Sequence, residues 1–178
     1  MTLADRLART VRDVPDFPAP GILFKDITPI LAQPALLSEA VTAMASSLAE
    51  LGVTHVVGVE SRGFLFGVPI AMRLGVPFAP ARKPGKLPWT TEREAYALEY
   101  REDVLEMHVD VFHGGHGEPP RVAVVDDVLA TGGTAAATCR LVERLGGEVV
   151  AVSVVLELGF LHGRDALSGR TVRSLLRY

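Results

Sequence analysis

An α/β fold with a mostly parallel central sheet flanked by helices is what this chain of 178 residues predicts. Three observations carry that expectation. Short apolar runs of strand length alternate with longer stretches at helical period. The clearest run, RVAVVDD (121–127), is apolar until its last two residues, as in a strand buried on both faces. A short Thr/Gly loop then leads straight into the clearest helical stretch, AAATCRLVERL, which Gly146-Gly147 closes.

The other elements follow in order. MTLADRLARTVRD mixes charged and apolar residues like an amphipathic helix. From residue 36, LLSEAVTAMASSLAEL sets Leu37, Val41, Met44 and Leu48 at helical spacing. THVVGVE (54–60) reads as a buried strand that ends in an acid, and RGFLFGVPIAMRLG as a helix stopping near Gly75. VPFAPAR (76–82) is the next strand. YALEY and VLEMHVDVF alternate apolar and polar residues and form a strand pair. EVVAVSVVLEL is a further buried strand. FPAPG (17–21), ARKPGKLPW (81–89) and HGGHGEPP (113–120) are loops, because the segments between them are too short to fold alone.

Composition narrows the function classes. Hydrophobic residues make up 48% and charged ones 22%, as in a soluble globular protein, and the length suits a single domain over 1–178. Net charge is −3 with both signs interspersed, which argues against a dedicated nucleic-acid binder. A single cysteine, Cys139, excludes an internal disulfide framework and fits a reducing compartment. It lies within an apolar helical stretch and reads as a small buried hydrophobe. No apolar run reaches the roughly 18 residues of a membrane span. The N-terminal stretch lacks the apolar core of a signal peptide, so the expected location is cytoplasmic, away from membranes.

One stretch raises a chemical question. Asp126 and Asp127 stand side by side just before Thr131-Gly132-Gly133-Thr134, a loop suited to hold an anion. Gly132 and Gly133 permit tight backbone geometry, and free N–H groups at the next helix start attract negative charge. The loop is neither a Walker loop nor a dinucleotide fingerprint. Adjacent carboxylates cannot bind phosphate, but they accept hydrogen bonds from hydroxyls or hold a divalent cation. A sugar with one terminal phosphate and free hydroxyls satisfies both halves of the motif. The plainer alternative is a strand end followed by a capped helix.

VVDDVLATGGT closely resembles the phosphoribosyl-pyrophosphate (PRPP) motif of the type I phosphoribosyltransferases. The resemblance implies that Asp126 and Asp127 hold the ribose hydroxyls, while Ala130, Thr131, Gly132, Gly133 and Thr134 hold the 5′-phosphate. It further implies that family's fold, with a small N-terminal hood (about 1–35) and a mobile flap (about 86–105). PRPP also carries a pyrophosphate, so a second anion site is expected. Glu60-Ser61-Arg62-Gly63, which closes THVVGVE and opens the next helix, is one candidate; Arg82, Lys83 and Lys86, in a Pro/Gly-broken loop, are the other. A basic loop alone reads as solvated surface; beside a sugar-phosphate site it reads as a pyrophosphate grip. The polar stretch KLPWTTEREAYALEY looks like a lid with little core to cover, and closing it would keep water from the reacting sugar.

FPAPGILFKDITPIL, ESRGFLFG, RKPGKLP, ALEY and LELGFLHGRDAL resemble the adenine phosphoribosyltransferases in particular, over nearly the whole chain. That resemblance implies transfer of a 5-phosphoribosyl group from PRPP to adenine, with Mg2+ held mainly by substrate and Asp126 and Asp127 nearby. It implies that Phe24 stacks on adenine, Leu161 approaches the other ring face, and the main chain at Lys25 reads the amino edge. Without the resemblance, Phe24 and Leu161 read as core. Glu99 corresponds to a flap glutamate that handles the adenine imidazole proton, and Tyr100 closes over the sugar-phosphate. Arg82 joins Glu99 as a catalytic group by assisting departure of pyrophosphate. A homodimer is the family's usual state.

Two departures stand out. Arg101 replaces the glycine that many relatives have after the tyrosine, which bears on flap hinging, and HGGHGEPP is longer than the usual turn. His113 and His116 within it read as solvent-exposed rather than as a metal site. Two rivals remain: transfer to another purine base, and a non-catalytic PRPP-sensing regulator. PGILFKD counts against the first; the charge and the short segment ahead of the core count against the second.

Overall fold

Alternating sequence patterns become alternating elements in the computed structural model, which describes residues 1–98, 101–112 and 118–178. The chain starts with α1 (Leu3–Thr10), hairpin strands β1 (Arg12–Pro15) and β2 (Leu23–Asp26), the single turn α2 (Thr28–Leu31) and α3 (Pro34–Ala49). Next come β3 (His55–Val59), α4 (Arg62–Leu74) and β4 (Phe78–Ala81). A second hairpin, β5 (Thr91–Leu98) and β6 (Arg101–His108), leads to β7 (Arg121–Leu129) and α5 (Gly133–Arg144). After β8 (Glu148–Glu157) stand two 3-10 turns, Gly159–Leu161 and Asp165–Leu167, and then β9 (Val172–Arg177).

Among the described residues, five strands form the central sheet in the order β4-β3-β7-β8-β9, with every neighbouring pair parallel. The strand order reverses between β3 and β7. In open α/β sheets this switch point opens a crevice beyond the strands' carboxyl ends, where ligands bind.

The sheet is covered on both faces. Period-two alternation along β7 sends Val122 and Val124 to one face and Ala123 and Val125 to the other. The first face packs on α5 through Ala137, Cys139, Leu141 and Val142; the second packs on α3 and α4 through Met44, Leu48, Phe66 and Ile70. Each fully buried large aliphatic side chain contributes about 1.5–3 kcal/mol. Burial pushes the Cys139 thiol up to about 12, which suits an inert packing residue.

Several expectations change in detail. Leu36 rather than Leu37 is the first deeply buried residue of α3, because the helix begins at Pro34. β7 extends to Leu129, since Val128 and Leu129 continue the ladder with Leu156 and Glu157 of β8. Asp126 and Asp127 therefore sit inside the strand rather than at its end. The lid segment does cover core: Tyr96, Leu105 and Met107 are buried in the cluster that contains α5. Arg140 and Arg144 of α5 also reach Glu94 and Glu92 on β5. Strands β1, β2 and β9 were not foreseen. β1 and β2 have four residues each and bury none fully, and β9 is an edge strand with exposed Arg177, so none shows a clean apolar period. Glu99, Tyr100, His113 and His116 lie outside the described residues.

Candidate active site

Two helix N-termini converge on the switch point. α4 starts directly after β3, with Glu60 joined to Ser61 by a cis peptide bond. α5 follows its N-cap residue Gly132, whose φ of 84° is the left-handed conformation that glycine adopts most readily. Neither helix has a side-chain cap hydrogen bond, so first-turn N–H groups remain for an anion. The helices follow neighbouring strands, which places the two anion cradles on either side of one crevice.

A cavity of about 530 Å³ fills that crevice. Phe24, Lys25, Ser61, Arg62, Lys83 and Leu161 line it, as do the acid pair Asp126 and Asp127 and the whole loop Ala130, Thr131, Gly132, Gly133 and Thr134. Residues spread over most of the chain thus meet at one place. Arg82 and Lys86 are not in its lining, although both belong to the same loop as Lys83.

Asp127 is buried and forms an ion pair with the Arg62 guanidinium, while its own N–H donates to Asp126 Oδ1 at 2.9 Å. Loss of water and then the adjacent Asp127 charge hold the Asp126 carboxyl well above the usual range. Arg62 is thereby shared between the acid pair and the aromatic platform, its guanidinium carbon standing 5.9 Å from the Phe24 ring centre. Gly63 lets α4 approach β7 this closely: a Cβ there would lie 2.7 Å from the Val125 carbonyl oxygen and 3.1 Å from Asp126 Oδ1.

The basic loop is held by acids. Glu60 accepts hydrogen bonds from Arg82 Nη2 and Lys86 Nζ, both at 2.9 Å, and from the Lys83 N–H at 2.8 Å. Burial alone would raise the Glu60 pKa, but the bonds from Lys86, Arg82 and the Lys83 N–H outweigh it and bring it to about 2. Lys83 Nζ pairs with Asp103 and donates to Tyr96 Oη at 3.2 Å. Burial disfavours that ammonium, yet Asp103 and Tyr96 hold its pKa above the usual lysine value. Tyr96 Oη also lies 3.4 Å from the donating Thr134 hydroxyl, which joins the β5/β6 hairpin to the loop that leads into α5.

The apolar end of the cavity is built by β2 and the 3-10 turn after β8. Phe24 packs edge-on against Phe17 with ring centres 5.1 Å apart, and Leu161 and Leu158 face the cavity. Among the described residues β2 pairs only with β1, so its other edge offers main-chain groups at Lys25. The Lys25 side chain is occupied elsewhere, 2.6 Å from Asp13 Oδ1 and over the Tyr178 ring.

Sequence reasoning overlooked Asp103 and Tyr96 as site residues. Glu60 belongs to the expected second anion site, as the acid closing a buried strand, but its grip on the basic loop is legible only in the fold. Asp103 and Tyr96 gave no local signal, because hairpin pairing with tertiary docking on α5 places them. No cluster of three or more potential metal-ligating side chains occurs among the described residues.

The phosphoribosyl transferase domain model matches residues 26–170. The chain is 54% identical over 177 residues to an adenine phosphoribosyltransferase of Myxococcus xanthus, covering 99% of this chain and 94% of the relative. The crystal structure of adenine phosphoribosyltransferase from Thermoanaerobacter pseudethanolicus superposes with a TM-score of 0.93 at 45% identity, covering 99% and 100% of the two chains. The Saccharomyces cerevisiae protein, crystallised with an imino-altritol bisphosphate and adenine, superposes with a TM-score of 0.89 at 39% identity and 98% coverage of each.

Proposed function

The chain belongs to the adenine phosphoribosyltransferase family, and from that premise we propose the chemistry of its cavity: adenine and PRPP give AMP and pyrophosphate, in purine salvage. The observation that carries the reading is a carboxylate pair between two uncapped helix N-termini, with an aromatic platform at the far end of the same cavity.

In this reading the N–H groups and hydroxyls of Ala130–Thr134 take the 5′-phosphate, and Asp126 and Asp127 accept hydrogen bonds from the ribose hydroxyls. Ser61, Arg62 and Lys83 face the pyrophosphate. Arg82 and Lys86 join them on exchanging Glu60 for the phosphate oxygens. Adenine lies between Phe24 and Leu161, its amino edge read by the main chain at Lys25. The adenine nitrogen attacks C1 as the C1–O bond to pyrophosphate breaks, and the electron pair leaves with that oxygen. Glu99 takes the imidazole proton, and Tyr100 covers the sugar-phosphate. The chain supplies mainly positioning and electrostatics, because pyrophosphate is already a good leaving group.

Mg2+ fits as a substrate-held ion. Asp126 and Asp127 offer two carboxylates, one already paired with Arg62, which is the sparse protein share usual for this ion beside substrate phosphates. Bound there, it would neutralise charge on the departing pyrophosphate. The expected assembly is a homodimer, supported by an exposed apolar stripe on α4 formed by Leu65, Val68 and Met72. No helix among the described residues is long and apolar enough to cross a membrane, and the proposed location is the cytoplasm.

The test offers purified protein PRPP and Mg2+ with adenine, hypoxanthine, guanine and xanthine in parallel. AMP should form from adenine, and Asp126→Asn/Asp127→Asn should lower kcat/KM about 100-fold or more. Turnover of an oxopurine alone would overturn the assignment of Phe24 and Lys25. PRPP binding without any turnover would point to a regulator.

A further inference from the structure

Arg164 stands outside the cavity lining, yet it closes a tight junction behind it. Glu157, the last residue of β8, is 2% exposed, and its carboxylate meets Arg164 in a fork. Arg164 Nε donates to Oε1 and Nη2 to Oε2, each at 2.7 Å. Two-pronged arginine–carboxylate pairs fix direction as well as distance. Ser174 Oγ donates to the same carboxylate at 2.9 Å, and Arg177 Nε stands 3.3 Å away.

The fork pins the turn that carries Gly163. That turn and the phosphate loop touch backbone to backbone: a Cβ on Gly163 would lie 2.2 Å from the Ala130 carbonyl oxygen, and one on Gly132 would lie 2.2 Å from the Gly163 carbonyl oxygen. The Leu158 N–H donates to the Leu129 carbonyl at 2.9 Å, which ties the two segments again at their roots. Leu161, between these ties, faces the base end of the cavity, and Gly132 to Thr134 face its phosphate end. The two subsites therefore share one wall.

We propose that Arg164, anchored on Glu157, is a positioning residue that makes the phosphate loop and the base-facing turn at Leu161 a single unit, so that filling the 5′-phosphate subsite organises the adenine subsite. The proposal rests on the adenine phosphoribosyltransferase reading and deepens it. Mutual support of this kind is a coupling free energy, and each ligand then raises the affinity of the other by the same factor.

Arg164→Ala leaves Ser174 and Arg177 on the Glu157 carboxylate, so the fold should persist. Arg164→Lys keeps the charge and loses the fork. Calorimetry measures adenine binding to the full chain with and without saturating ribose 5-phosphate. The unsubstituted protein should bind adenine about tenfold more tightly with ribose 5-phosphate, and both variants should lose most of that gain. In turnover, the KM values for adenine and PRPP should rise together, with kcat changed far less. A lower melting temperature with the gain and both KM values intact would make the pair merely structural and overturn the proposal. So would a rise in KM for PRPP alone, or the absence of any gain in the unsubstituted protein. Failure of that protein to make AMP would instead remove the underlying reading. If Arg164→Ala does not fold, Arg164→Lys decides by the same criteria.

Discussion

At the scale of single residues, acids organise this site more than bases do. Glu60 holds Arg82, Lys86 and the Lys83 N–H, and Asp103 holds the Lys83 ammonium. Because the folded pKa of Glu60 lies near 2 rather than 4.5, its stabilisation is fully present above about pH 5 and fades as pH falls toward 2. Urea unfolding of the protein and of Glu60→Gln should show a stability gap that narrows as pH drops from 5.5 to 3; a constant gap would remove the ionic account. Asp126 behaves oppositely. Its folded pKa is raised, so its contribution to stability is greatest when protonated and is lost as pH rises through the folded value. In the proposed reading ribose hydroxyls donate to the ionised form, so the KM for PRPP should climb as the assay pH is lowered, and Asp126→Asn should flatten that climb.

Among the elements, the loop from β7 into α5 tolerates the least change. Gly132 has φ 84°, and a Cβ there would press on the Gly163 carbonyl and the Ala166 methyl. Gly132→Ala should cost about 2 kcal/mol or more in thermal unfolding and weaken PRPP binding further, since strain and clash fall on the loop proposed to hold the 5′-phosphate. The β5/β6 hairpin offers a contrast. Its ion pairs to Arg140 and Arg144 are surface contacts, whereas Tyr96, Leu105 and Met107 are buried. Arg140→Ala should therefore change stability by less than about 1 kcal/mol, and 1 M salt should reduce even that. Leu105→Ala should cost about 2–5 kcal/mol by leaving a cavity.

On the scale of the whole molecule, the arrangement turns on one topological fact. Because β3 and β7 are neighbours, two strand-to-helix turns separated by more than sixty residues open onto the same crevice. The outer face of α4 exposes Leu65, Val68 and Met72 three and four residues apart. Met72→Glu should shift the proposed homodimer toward monomer in sedimentation velocity. An unchanged dimer would place the contact on another face.

The sequence by itself determined the alternation of elements, the Thr131–Thr134 loop with its adjacent acids, and the family. These are local properties: apolar period, turn residues and contiguous motifs survive in a linear reading. Only the tertiary structure decided that Asp126 and Asp127 lie within the strand, since the ladder with β8 sets its length. Likewise, only the fold revealed that Arg82 and Lys86 turn to Glu60, and that Gly163 braces Gly132 across thirty residues of chain. The physical reason is common to all three. Ion pairs and backbone contacts between distant segments depend on which strands neighbour one another, and that order is settled by burying both faces of the sheet at once.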